Sequence, residues 1–156
     1  MEKYYSTRNT NDRVSFSTGV TRGLSPDGGL YVPESFTNID IYDEKYLKMS
    51  YQELAVDILS NFLDGYTKEE VTTFVSEAYG DNFETKDIVP VKTCDKVNFL
   101  ELFRGPTLAF KDMALQILPK FMVAAARKEG ITDEIVVLTA TSGDTGKAAL
   151  EGFANK

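Results

Sequence analysis

The chain has 156 residues, 42% of them hydrophobic, no histidine and a formal net charge of -7 at pH 7. That length buries one substantial core and at most a second small one, and the acidic balance speaks against a nucleic-acid partner, which needs a basic stripe to displace phosphate counterions. The missing histidine removes the commonest zinc ligand and the commonest general base, so no metal site is expected and acid-base chemistry falls to lysine, carboxylate or a cofactor.

No apolar run approaches a membrane span, and the opening residues Glu2 and Lys3 lead into polar sequence rather than an apolar secretory core. A protein without membrane association, in the cytoplasm, is therefore expected. Cys94 is the one cysteine; it excludes an intramolecular disulfide and agrees with a reducing compartment. With no histidine to activate it, Cys94 reads as a small core or strand residue, not a nucleophile.

In chain order, Tyr4-Tyr5-Ser6-Thr7 and Val14-Ser15-Phe16-Ser17 read as short strands, Ser25-Pro26-Asp27-Gly28-Gly29 as a turn, and Leu30-Tyr31-Val32 as a strand ended by Pro33. Ser50 with Glu53 forms a capping box, and Tyr51, Leu54, Ala55, Ile58, Leu59 and Phe62 follow at helical spacing until Gly65. Thr67 with Glu70 repeats the device, Val71, Phe74, Val75 and Ala78 make the apolar stripe, and Gly80 ends it. Two helices over a small sheet predict an N-terminal α+β domain over residues 1–90.

From Asp81 to Lys96 the chain turns polar apart from Ile88-Val89-Pro90-Val91, which places the domain linkage there. Residues 91–156 then read as the start of an α/β unit. It runs strand to Phe103, turn at Gly105-Pro106-Thr107, helix from about Phe110 to Lys128, strand over Glu134-Ile135-Val136-Val137-Leu138 and a second helix from about Asp144. Pro119 sits inside the first of these helices, so a kink or break is expected near Leu115 to Leu118. Two parallel strands cannot cover both faces of a sheet, so this part is expected to be exposed or unstable without further chain, and the sequence reads as a fragment.

Two stretches carry chemistry. Lys111 stands at the mouth of the predicted helix, where aligned backbone dipoles favour a neutral, nucleophilic amine that a carbonyl cofactor could use; the plain alternative is one more solvated lysine. Asp112 reads as an ordinary first-turn residue. Thr139-Ala140-Thr141-Ser142-Gly143-Asp144-Thr145-Gly146 is a hydroxyl-rich and glycine-rich turn whose amides and hydroxyls can hold an anion. It is not a nucleotide phosphate loop, because Thr141 replaces the first glycine and Ala148 the serine or threonine after Lys147. Asp144 serves equally well as a helix N-cap.

The run Glu101-Leu102-Phe103-Arg104-Gly105-Pro106-Thr107-Leu108-Ala109-Phe110-Lys111-Asp112, the loop Thr141-Ser142-Gly143-Asp144-Thr145-Gly146, and the openings Tyr5-Ser6-Thr7-Arg8 and Gly23-Leu24-Ser25-Pro26-Asp27-Gly28-Gly29-Leu30-Tyr31-Val32-Pro33 resemble threonine synthases, pyridoxal-phosphate enzymes of the tryptophan synthase β-like fold. The resemblance implies an α/β protein: a small N-terminal α+β domain followed by the start of a three-layer pyridoxal-phosphate domain. It implies conversion of O-phospho-L-homoserine and water to L-threonine and phosphate by the whole enzyme, with the fragment alone inactive. It assigns Lys111 to the lysine that forms the Schiff base with pyridoxal 5'-phosphate, Asp144 to the side of the cofactor ring's 3-hydroxyl, and Thr141, Ser142, Gly143 and Thr145 to the substrate carboxylate. In that pattern Arg104 replaces a usual histidine; arginine cannot act as a base but can fork onto a phosphate. The family's cofactor-phosphate loop would lie beyond Lys156. A serine/threonine dehydratase or cysteine synthase of the same fold, and a noncatalytic binding module, are the alternative readings. No oligomeric state follows from the sequence.

Overall fold

The computed structural model describes residues 3–154. Its first layer is a three-stranded antiparallel sheet, β1 (Tyr4–Ser6), β2 (Asn9–Val14) and β3 (Tyr31–Pro33), in the order β2-β1-β3. Tyr5 pairs with Arg13 on one side and Val32 on the other. The turn before β3 is tied back by Asp27, whose carboxylate accepts from Ser6 Oγ at 2.8 Å and from Gly29 N at 2.7 Å.

The strand expected over Val14–Ser17 stops at Val14, and helix α1 (Phe16–Arg22) begins instead. Ser15 causes the change: its hydroxyl accepts from Thr18 N at 3.0 Å and caps the new helix. Helices α2 (Tyr51–Leu59) and α3 (Lys68–Ala78) start where their capping boxes put them, with Ser50–Glu53 and Thr67–Glu70 each making both reciprocal bonds. Val56, Val71, Val75 and Ala78 turn inward and join Leu63, Tyr79, Phe83 and Ile88 in one core.

That core also takes Ile117 and Phe121 from much later in the chain. The helix expected over residues 110–128 is two helices, α4 (Asp112–Leu115) and α5 (Leu118–Lys128), separated at Gln116 and Ile117. Pro119 lies in the first turn of α5, where its missing N–H costs no helical bond. Phe121 stands edge-on to Phe16 of α1 (5.5 Å, 84°) and to Phe74 of α3 (5.9 Å, 81°), the arrangement the ring quadrupoles prefer. The helix α5 thereby closes the first layer.

The remaining strands behave differently. Strand β5 (Val97–Leu100) folds back antiparallel onto β4 (Val91–Cys94), a strand within the stretch read as linkage, and all eight residues of this hairpin are exposed. Among the described residues, the segment 134–138 pairs with no strand. Ile135 and Val137 line a groove of about 650 Å³ against α5 and the last helix, α6 (Asp144–Phe153), while Val136 and Leu138 are 78% and 92% exposed. A strand buried on both faces needs neighbours along both edges, and none is in place. The helix α6 packs on α4 through Gly152, where a Cβ would overlap the Leu115 carbonyl oxygen. No described helix is long and apolar enough to cross a membrane.

Candidate active site

After β5 the chain runs through Glu101, Leu102 and Phe103 to Arg104, whose guanidinium is already engaged. Its Nε and Nη2 donate to Glu101 Oε2 at 2.9 and 2.6 Å, and Nη1 donates to Glu84 Oε2 at 2.7 Å. Glu84 N in turn donates to the Arg104 carbonyl at 2.9 Å. The hydrogen bonds that the guanidinium donates to Glu84 and then Glu101 hold its pKa above the ordinary value. Arg104 therefore pins the turn to the 81–90 segment, and its fork is occupied by carboxylates.

The Gly105–Thr107 turn is locked onto the start of α4 by Asp112. This carboxylate is 0% exposed and accepts from Thr107 N at 2.9 Å and Thr107 Oγ1 at 2.7 Å. It lies so close to Gly105 that a Cβ there would stand 2.6 Å from its Cβ and Oδ2. Read from sequence as an ordinary first-turn residue, Asp112 is a buried latch, and its partner Thr107 lies five positions before it, two after Gly105. Between the latched ends Leu108 holds φ at +58°, a left-handed conformation that costs a non-glycine residue roughly 1–3 kcal/mol and persists only where its surroundings impose it.

Lys111 sits inside this closed corner, half-buried, immediately before α4. Its Nζ lies 4.4 Å from the centroid of the Phe110 ring, and among the described residues it makes no ion pair. The helix it opens is one turn long, so the electropositive field comes from that turn's own N–H groups rather than from a continuous helix to Lys128. Two bonds seat α4 on the first layer: Tyr79 OH donates to the Met113 carbonyl at 2.6 Å, and Asn82 Nδ2 to Gln116 Oε1 at 3.0 Å. Gln52 Nε2 on α2 holds Tyr79 in place by donating to its carbonyl at 2.7 Å. Burial pushes the Tyr79 phenol far above its ordinary pKa, so it stays a donor.

The second loop is organised by Thr141, whose hydroxyl oxygen accepts from Gly143 N at 3.2 Å and from Gly146 N at 3.0 Å. Gly143 makes the sharp entry into α6 with φ +143°, which a side chain would strain. Ser142, Asp144 and Thr145 are exposed around it, and Lys147 Nζ approaches Asp144 Oδ1 at 4.0 Å. Because α4 packs on α6, Lys111 and Thr141–Thr145 open two helices of one packed pair. No described hydrogen bond or ion pair joins Lys111 to that loop. Lys111, with no ion pair among the described residues and its amine set on an aromatic face, opens a helix packed on one whose mouth carries hydroxyls; an amine so placed fits an aldehyde-bearing group.

Helices α1, α2 and α3 thus share one core with α5, and α4 and α6 pack on α5, which makes this a mixed α/β protein. The family model described as threonine synthase N terminus matches residues 3–79. A threonine synthase of Methylobacillus glycogenes is 38% identical over 94% of this chain and 33% of its own length. The PLP-bound threonine synthase structure from Brucella melitensis superimposes with a TM-score of 0.88 at 37% identity, over 99% of this chain and 33% of that one; the yeast threonine synthase structure gives 0.88 at 34% identity with the same coverage. The chain belongs to the threonine synthase family, and it spans about one third of the length of the relatives it matches.

Proposed function

We propose that the chain is the N-terminal portion of a pyridoxal-phosphate-dependent threonine synthase, a cytoplasmic enzyme that converts O-phospho-L-homoserine and water to L-threonine and phosphate. One observation carries this reading: the Lys111 amine, without an ion pair among the described residues, stands on an aromatic face in a corner latched by Thr107 and Asp112, in a chain similar along nearly its whole length to threonine synthases. Bound pyridoxal phosphate would supply an electron sink for the substrate's α carbon. Lys111 would hold the cofactor and, once released by substrate, carry protons at the α and β carbons. Thr141 has spent both oxygen lone pairs on Gly143 N and Gly146 N, which leaves its O–H proton to donate to the substrate carboxylate beside Ser142, Gly143 and Thr145. Asp144, a carboxylate at the same mouth, would repel that anion and so would face the cofactor's ring hydroxyl. Turnover is assigned to a polypeptide of the relatives' length, not to these 156 residues alone.

The test is reductive trapping. After incubation with pyridoxal 5'-phosphate and borohydride, peptide mapping is expected to find the pyridoxyl group on Lys111 in preference to the other lysines, and Lys111→Ala removes it. In a polypeptide of full family length the same substitution abolishes phosphate release from O-phospho-L-homoserine. Label scattered evenly over the lysines overturns the assignment. Against a dehydratase or cysteine synthase of the same fold stands the family match over residues 3–79, and product analysis with phosphohomoserine against serine separates them.

A further inference from the structure

Asp112 has no part in the chemistry assigned above, yet it is the most completely buried charged residue around the site. Its two oxygens are both engaged by one residue, Thr107, through a backbone N–H at 2.9 Å and a hydroxyl at 2.7 Å. No described cation pairs with it. A buried carboxylate held only by neutral donors is costly to desolvate, so its place reflects what the bonds achieve. They close residues 107–112 into a ring whose other tie is Asp112 N to the Ala109 carbonyl at 3.1 Å. The ring forces Leu108 to φ +58° and leaves no room at Gly105 for a Cβ. Lys111 is inside the ring, one residue from the latch, so its Cα and the direction in which its side chain leaves are set by Asp112 and Thr107 rather than by the one-turn helix.

We propose that Asp112, through Thr107, is the positioning residue of the site: it fixes the Lys111 corner so that the amine is presented to the cofactor aldehyde. This rests on the reading of Lys111 as the cofactor lysine. Small misplacements of a reacting group lose large factors in rate, so the latch should be visible in how fast and how selectively Lys111 reacts.

The experiment labels the chain with pyridoxal 5'-phosphate and borohydride and follows Lys111 and, as an internal control, exposed Lys92 on β4. Thr107→Val keeps the shape and the backbone N–H but removes the hydroxyl bond. It is expected to slow labelling of Lys111 about tenfold while Lys92 labels as before and the circular dichroism spectrum is unchanged. Thr107→Ser restores the hydroxyl and should restore the wild-type rate, a rescue that a merely structural role would not confine to one lysine. Asp112→Asn is read in the same way and decides alone if Thr107→Val does not fold. Folded variants in which Lys111 labels at the wild-type rate overturn the positioning role while leaving Lys111 as the cofactor lysine. A wild-type chain that shows no preference for Lys111 overturns that reading and the latch's function with it.

Discussion

Val71 and Val75 on α3 are 0% exposed, whereas Val136 and Leu138 in the 134–138 segment are 78% and 92% exposed. The side chains are of one kind; their surroundings differ. A helix satisfies its backbone within itself, so α3 needs only one covered face and finds it against α2 and α5. A strand must be paired along its edges as well as covered, and the 134–138 segment has α5 and α6 beneath one side only. Apolar pattern announces that a segment wants burial, and topology decides whether it gets it. Helix α5 shows the same lesson from the other side, because it is spent on the first layer through Phe121.

Breaking that attachment should have the largest effect. Phe121→Ala removes the ring shared by Phe16 and Phe74 and is expected to cost about 3–5 kcal/mol in urea unfolding; a loss below ~1 kcal/mol would mean that α5 does not close the first layer. Next comes the contact between the two later helices. Gly152→Ala drives a methyl group into the Leu115 carbonyl, and overpacking of about 1–3 kcal/mol should exceed the ~1 kcal/mol that alanine returns in helix propensity. A stabilised variant would show that α6 is free to move off α4.

Within the first layer, burial and then Asp64 push the Tyr4 phenol from about 10 to about 12, while its hydroxyl donates to the Phe62 carbonyl at 2.8 Å. The unfolded chain ionises first, so the stability held by the neutral phenol is complete below pH 10 and is lost as pH rises through 12. At pH 7 the wild type should exceed Tyr4→Phe by about 1 kcal/mol, and urea midpoints taken from pH 9 to 12 should show the gap closing. A constant gap would place the phenol in water. The smallest effect belongs to the uncovered segment: Leu138→Ser should change stability by no more than ~0.5 kcal/mol, and a larger loss would reveal a covering that the fold does not show.

The helices that were legible in the sequence are those with two independent marks. The pairs Ser50–Glu53 and Thr67–Glu70 stand directly before apolar stripes, and the structure starts α2 and α3 there. Pro119 marked the break between α4 and α5 in the same way. Helix α1 had a cap at Ser15 but no acidic partner three residues on, and Val14, Val20, Thr18 and Thr21 bias the stretch toward a strand. Strand β4 was hidden because all four of its residues are exposed and its pairing with β5 is set by the turn at Asp95, φ +53°. At the site, Lys111 and the Thr141–Gly146 loop were readable as residue types in a pattern. The Thr107–Asp112 latch was not, because a five-residue spacing means nothing until the turn between them has folded back.

The edge-on contact of Phe16 with Phe121 has a consequence for how the protein is made. A ribosome delivers Phe16 early and Phe121 only after α2, α3 and the hairpin, so α1, α2 and α3 wait with an open apolar side while the hairpin and the lysine corner are still being synthesised. Residues 3–79 form a recognisable sequence family but an unsealed folding unit, and a nascent chain stopped before α5 should be cut readily by protease where one carried past Lys128 resists.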